Sequence, residues 1–178
     1  MPSSKSFPQE QRGVAFGMAA ALCVTLLVSA LCLYRGAATT LSPSERLIIT
    51  AKADVIVMVW LAATIANVAR LRFFSPDDIA GSGAGVATPQ VERARAILQN
   101  TLEQVVFALP VHMSLALLVA SSVPLTLALA ALFATGRLLF WIGYARDAQA
   151  RAFGFALTFY PTVAGLLVLV VESVKQSL

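Results

Sequence analysis

Apolar residues fall in five blocks, at residues 13–34, 48–68, 97–121, 125–144 and 153–171, and most charges lie between them. Each block is close to the ~20 residues a helix needs to cross the hydrocarbon of a bilayer. The blocks are rich in Leu, Ala and Val and lack the period-two alternation of barrel strands, so helices are expected. The pattern predicts an all-α integral membrane protein with five spans. The first block follows Lys5 and Arg12, as the core of a signal peptide would. Its apolar core is longer than the usual ~7–15 residues and no small-residue cleavage site closes it, which favours an uncleaved span.

Composition points the same way. The chain is 58% hydrophobic and only 12% charged, with a mean hydropathy of +0.80, whereas a soluble domain is about a quarter charged. The net charge of +4 would suit nucleic acid, but the 13 Lys and Arg are scattered at the ends of apolar blocks instead of forming a basic face. That distribution fits membrane topology and argues against nucleic-acid binding. With a cytoplasmic amino terminus, Lys5, Arg12, Arg70, Arg72, Arg93, Arg95, Arg137, Arg146 and Arg151 lie in or near the cytoplasmic side. Arg35, Arg46, Lys52 and Lys175 then fall opposite, which satisfies the positive-inside rule. A multi-pass protein of a bacterial inner membrane, with its amino terminus in the cytoplasm, is the expected setting.

Cys23 and Cys32 stand nine positions apart on one expected helix, roughly 13 Å along its axis, too far to pair with each other. His112 is the only histidine, and the sequence places no Cys, His or carboxylate cluster around it, so no metal site is expected. The loop from Phe73 to Pro89 contains Ser75-Pro76-Asp77-Asp78 and then glycines at 81, 83 and 85. No Gly-Lys-Ser/Thr follows, so a flexible linker is expected and not a phosphate cradle.

The candidate chemistry lies in polar residues that interrupt the apolar blocks. A helix from Glu92 to Val119 would be about 42 Å long, so its first turns should project from the bilayer. Arg93, Asn100, Glu103 and Phe107 are spaced to share one face of it. Glu103 lies in an apolar run, where a carboxylate is costly without a partner, and is a functional candidate for that reason. Arg137 is equally costly in the next block, and Glu103 is its expected counter-charge. Arg137, Phe140, Tyr144, Asp147 and Arg151 would form a second stripe if the fourth helix continued that far. Two such stripes would enclose a cleft of guanidinium groups, an amide, a carboxylate and a phenol, suited to a small, multiply charged anion. The structural alternative is a Glu103–Arg137 pair and an Asn100 that only bridges helices.

Glu92-Arg93-x-Arg95 followed by Asn100-x-x-Glu103 resembles the second-helix signature of the MAPEG family, membrane-associated proteins in eicosanoid and glutathione metabolism. The segment Gly143-Tyr144-Ala145-Arg146-Asp147-Ala148-Gln149-Ala150-Arg151 is similar to the end of the third helix in the leukotriene C4 synthase branch of that family. The resemblance implies a four-helix protomer over residues 46–178, preceded by a tail and an additional transmembrane helix in residues 1–45. It also implies a homotrimer with glutathione, as co-substrate, bound between adjacent subunits near the cytoplasmic side. Carried over by position, Asn100 and Glu103 would hold the glutathione backbone; Arg93, two turns before Asn100, would substitute for the family arginine absent at Ala96, and Arg137 would join the same ligand from the second stripe. Tyr144 would give a hydrogen bond, Arg151 would face the sulfur, and Arg70 or Arg72 would serve the substrate side. Arg151 would be the catalytic group, stabilising a thiolate for attack on a lipophilic electrophile or peroxide dissolved in the bilayer. The chain departs from the family at Ala96, where arginine is common, and at Phe140, where the leukotriene C4 synthase branch has tyrosine. Those departures suit a second reading, a non-catalytic, lipid-binding membrane scaffold of the same fold. A third, a small transporter with a buried Glu103–Arg137 pair, lacks the inverted repeat or broken helix pair it would need.

Overall fold

The computed structural model describes residues 6–35, 41–81 and 87–177 of the protein. Five helices account for nearly all of them: α1 (Phe7–Arg35), α2 (Pro43–Phe73), α3 (Pro89–Leu118), α4 (Ser122–Tyr144) and α5 (Ala148–Ser177). All five are long and apolar enough to cross a membrane, as the five blocks predicted. The helices run several residues past most block ends because charged flanks such as Arg35, Arg70 and Arg72 stay helical beyond the apolar core. Their long side chains can carry the charge back to water.

Local chemistry fixes where the helices begin and how they meet. Ser42 caps α2: its hydroxyl accepts from the Glu45 amide, while the Glu45 carboxylate accepts from the Ser42 amide at 2.8 Å. That reciprocal box, with Pro43 as the first helical residue, starts the helix cleanly. Arg46, one turn on, is buried and serves the other member of the hairpin. Its Nε donates to the Ala116 carbonyl at 2.8 Å and its Nη2 to the Leu117 carbonyl at 3.2 Å. These are carbonyls left free in the last turn of α3, where a cation is also favoured by the helix dipole. Thr50 on α2 and Thr126 on α4 share a buried hydrogen bond of 2.9 Å, tying a third helix to the pair.

The α2–α3 loop is more ordered at its start than a linker would be. Asp78 is buried and accepts from Ser75 Oγ at 2.6 Å, Thr88 Oγ1 at 2.7 Å and the Thr88 amide at 3.0 Å. The expectation of a flexible linker is thus corrected for residues 74–81. Gly83 and Gly85 fall in 82–86, outside the described residues, as does Lys5. The hydrogen bonds from Ser75 and Thr88 hold the Asp78 carboxyl below its ordinary range. Because the folded pKa is depressed, this contribution is present above the unfolded value near ~3.9 and disappears as pH falls through the folded one. The protection factor of the Thr88 amide, its exchange measured against the unstructured rate at the same pH, should therefore fall on acidification below pH ~4 and be low throughout in Asp78→Ala.

α4 and α5 pack closest, through glycine. A methyl added at Gly154 would fall on the backbone amide of Phe140, and one at Gly136 on the Thr158 hydroxyl. Backbones that approach this closely are held by van der Waals contact between small residues, the usual adhesive between helices in lipid. Gly154→Val should lower the unfolding free energy by about 1–3 kcal/mol through overpacking, read as a lowered thermal midpoint in detergent. The same approach sets the geometry of the polar residues between α3, α4 and α5.

Candidate ligand cleft

Arg137 is the largest fully buried side chain among the described residues. It leaves α4 beside Gly136, where α5 is close enough for Thr158 to accept from its Nε at 3.1 Å. Its Nη1 donates to Asn100 Oδ1 on α3 at 2.8 Å. The guanidinium carbon lies 4.5 Å from the centre of the Phe140 ring and 5.9 Å from that of Phe133. Aromatic faces attract a desolvated cation, and Nη2 has no partner among the described residues. Arg137 thus orients the Asn100 amide from behind.

In front of Asn100 opens a cleft of about 420 Å³ that also exposes Phe140, Tyr144, Arg151 and Phe155. The Arg151 guanidinium carbon is 4.6 Å from the centre of the Tyr144 ring. Phe140 meets Tyr144 edge-on at 5.4 Å, and Phe155 stacks on Phe159 at 5.9 Å. An amide, a phenol and a guanidinium therefore line a cleft whose remaining walls are apolar, both aliphatic and aromatic. Few, convergent polar groups in an apolar cavity of this size are the usual make-up of a small-molecule site.

Two sequence expectations are corrected, the Glu103–Arg137 pair and the single-helix second stripe. Glu103 is not the counter-charge of Arg137: it is exposed on the outer face of α3 and accepts from Gln99 Nε2 at 3.0 Å. Three residues turn a helix by about 300°, so Glu103 sits some 60° away from Asn100, and the Asn100 amide takes the guanidinium instead. The second stripe does not lie on one helix. α4 stops at Tyr144, and Asp147 accepts from the Ala150 amide at 2.7 Å at the start of α5. Arg151 thus reaches Tyr144 across a turn. Arg93, near Asn100 in azimuth, turns into a separate cleft with Asn67 and Trp141. Arg70 donates to Asn67 Oδ1 at 3.2 Å and Arg72 to the Asp78 carbonyl at 3.4 Å, so neither lines the Asn100 cleft within the protomer.

One buried pair escaped the sequence reading. His112 and Asp54 are both almost fully buried, with His112 Nδ1 2.7 Å from Asp54 Oδ1. One carboxylate sits beside the lone histidine, and no group of three or more His, Cys, Asp or Glu side chains gathers among the described residues. His112 Nε2, Asp54 Oδ2 and the buried Gln104 Oε1 have no partner among the described residues. The signal was Asp54 itself, a carboxylate in an apolar block; folding α2 against α3 as an antiparallel hairpin brings it level with His112.

The sequence model of the MAPEG family matches residues 47–171, most of the chain, and covers α3, α4, nearly all of α2 and most of α5. The chain belongs to the MAPEG family. No curated protein and no solved structure matches it. Membership places Asn100, Arg137, Tyr144 and Arg151 of this MAPEG protein within the matched region, and α1 outside it.

Proposed function

We propose that this MAPEG protein is a glutathione-dependent transferase or peroxidase acting on lipophilic electrophiles or lipid peroxides. The observation that carries the reading is that Asn100, Tyr144 and Arg151 line a single, otherwise apolar cleft. Asn100 would hold the tripeptide backbone, with its orientation set by Arg137. Tyr144 would donate to the sulfur region, and Arg151 would favour the thiolate over the thiol. A free cysteine thiol has a pKa near ~8.5, and a fixed cation nearby lowers it toward working pH. The thiol proton passes to solvent. The sulfur pair then forms a C–S bond as a leaving group departs with its electrons. With a peroxide it attacks one oxygen, the O–O bond breaks and the alkoxide leaves and takes a proton from solvent; the thiol of a second glutathione then displaces water from the resulting sulfenic acid and closes the disulfide.

A homotrimer is part of the same proposal. Glu103, Gln99 and Arg93 are exposed on the protomer, and a carboxylate facing lipid tails is costly. A second copy over that face would cover Glu103 and could bring it, with Arg93, Arg70 and Arg72, to a ligand held between subunits. The amino terminus is assigned to the cytoplasmic side, by the distribution of basic residues.

The second reading, a lipid-binding protein without thiol chemistry, is favoured by Ala96 and Phe140. Both line the cleft and neither offers a hydrogen bond there. Titration of glutathione into the purified protein in detergent separates the two. Saturable binding, weakened at least tenfold in Asn100→Leu and little changed in Leu27→Ala, supports the first reading. Copurified lipid with no glutathione binding supports the second.

A further inference from the structure

α1 lies outside the family match, yet it is built into the bundle. Gly13, Gly17, Ala21, Thr25 and Ser29 recur every four residues along it, and the last three are buried. This seam lets α1 approach α5: a methyl at Gly17 would stand 3.3 Å from the Phe153 amide nitrogen. Ala21 packs into one cluster with Ala156 and Leu157 of α5. Small residues at this spacing let helices in lipid pack closely, so α1 is a docked wall.

Beside that seam, one turn apart, are Val14 and Met18, and both line the cleft that holds Asn100, Tyr144 and Arg151. Every polar group of the cleft comes from α3, α4 or α5, and α1 contributes only apolar side chains. We infer that α1 forms the acceptor wall of the cleft, and that Val14 and Met18 select an extended apolar group lying beside the sulfur. Flat aromatic faces from Phe140 and Phe155 contribute to the same cavity. The flexible thioether of Met18 adapts to an unbranched chain better than a rigid side chain would. The ligand class is thus an alkyl thioether or alkyl electrophile, and the inference rests on the glutathione reading above.

The test uses the full chain and two probes, glutathione and S-hexylglutathione, titrated in detergent. Wild type should bind the hexyl compound roughly tenfold or more tightly than glutathione, since each buried methylene is favourable. Met18→Trp and Val14→Trp, which narrow the cleft from α1, should each bring that ratio near one by weakening the hexyl compound roughly tenfold more than glutathione. Leu27→Trp, on the exposed face of α1, should leave both affinities unchanged. If glutathione binds but the hexyl preference is absent, or survives both α1 substitutions, the acceptor-wall assignment fails alone. If both compounds weaken equally in those variants, α1 contacts the peptide portion and the assignment is overturned. If wild type binds neither compound, the glutathione reading falls and this inference falls with it.

Discussion

Arg151→Ala is expected to lower kcat with 1-chloro-2,4-dinitrobenzene by about 10²–10³-fold, the usual consequence of removing one preorganised group from a developing or reacting anion. The glutathione KM should move far less, because Asn100 and the Arg137 behind it are untouched. Arg151 stands half-buried against the Tyr144 ring, 4.6 Å from its centre, so its removal opens space at the cleft mouth and leaves the core intact. A charge that lowers the thiol pKa also predicts a pH signature. The rate of the variant should rise with pH toward that of the wild type as an unassisted thiol ionises near ~8.5. Arg151→Lys should recover part of the loss, since the charge remains but the planar fork that rests on Tyr144 does not. A drop in kcat that Arg151→Lys does not relieve, with a flat pH profile, would assign Arg151 a packing role.

The second large effect concerns stability. Asp54→Val or His112→Leu should each cost about 3–5 kcal/mol, because each strands one member of a buried polar pair inside the bundle. The double substitution should lie closer to wild type than either single one, since two apolar side chains leave nothing unpaired at that depth. Unfolding free energies of the four proteins, measured by denaturant titration in one detergent, give the coupling energy. Additive losses would mean that the 2.7 Å contact contributes nothing specific. Catalysis should be little affected in any of the folded variants, as neither residue lines the Asn100 cleft.

These expectations show which parts of the molecule a sequence can carry. The five spans were readable because about twenty apolar residues in a row have few other uses, and each block became a helix. The family signature around Asn100, and the segment ending at Arg151, marked both sides of the cleft. Helix-face arithmetic then failed at the level of single partners. Glu103 and Asn100 are three residues apart, which is close enough to share a stripe on paper. The roughly 60° between them nonetheless sends one outward and the other to Arg137. Periodicity was also extended through Asp147, where the chain turns and begins α5. The Asp54–His112 and Arg46–α3 contacts depend on how α2 lies along α3, and hydropathy carries no such register. The docking of α1 was the least legible. Its seam of Gly13, Gly17, Ala21, Thr25 and Ser29 is plain only once α5 is seen against it.

In the proposed function, the Asn100–Tyr144–Arg151 cleft binds glutathione and holds it as the thiolate. Stopped-flow ultraviolet absorbance on mixing the purified protein with glutathione near neutral pH tests this most directly. The expected result is a saturable rise in thiolate absorbance, with proton release, that is absent in Arg151→Ala although that variant still binds glutathione. Binding with no thiolate signal in the wild type, or an equal signal in Arg151→Ala, would contradict it.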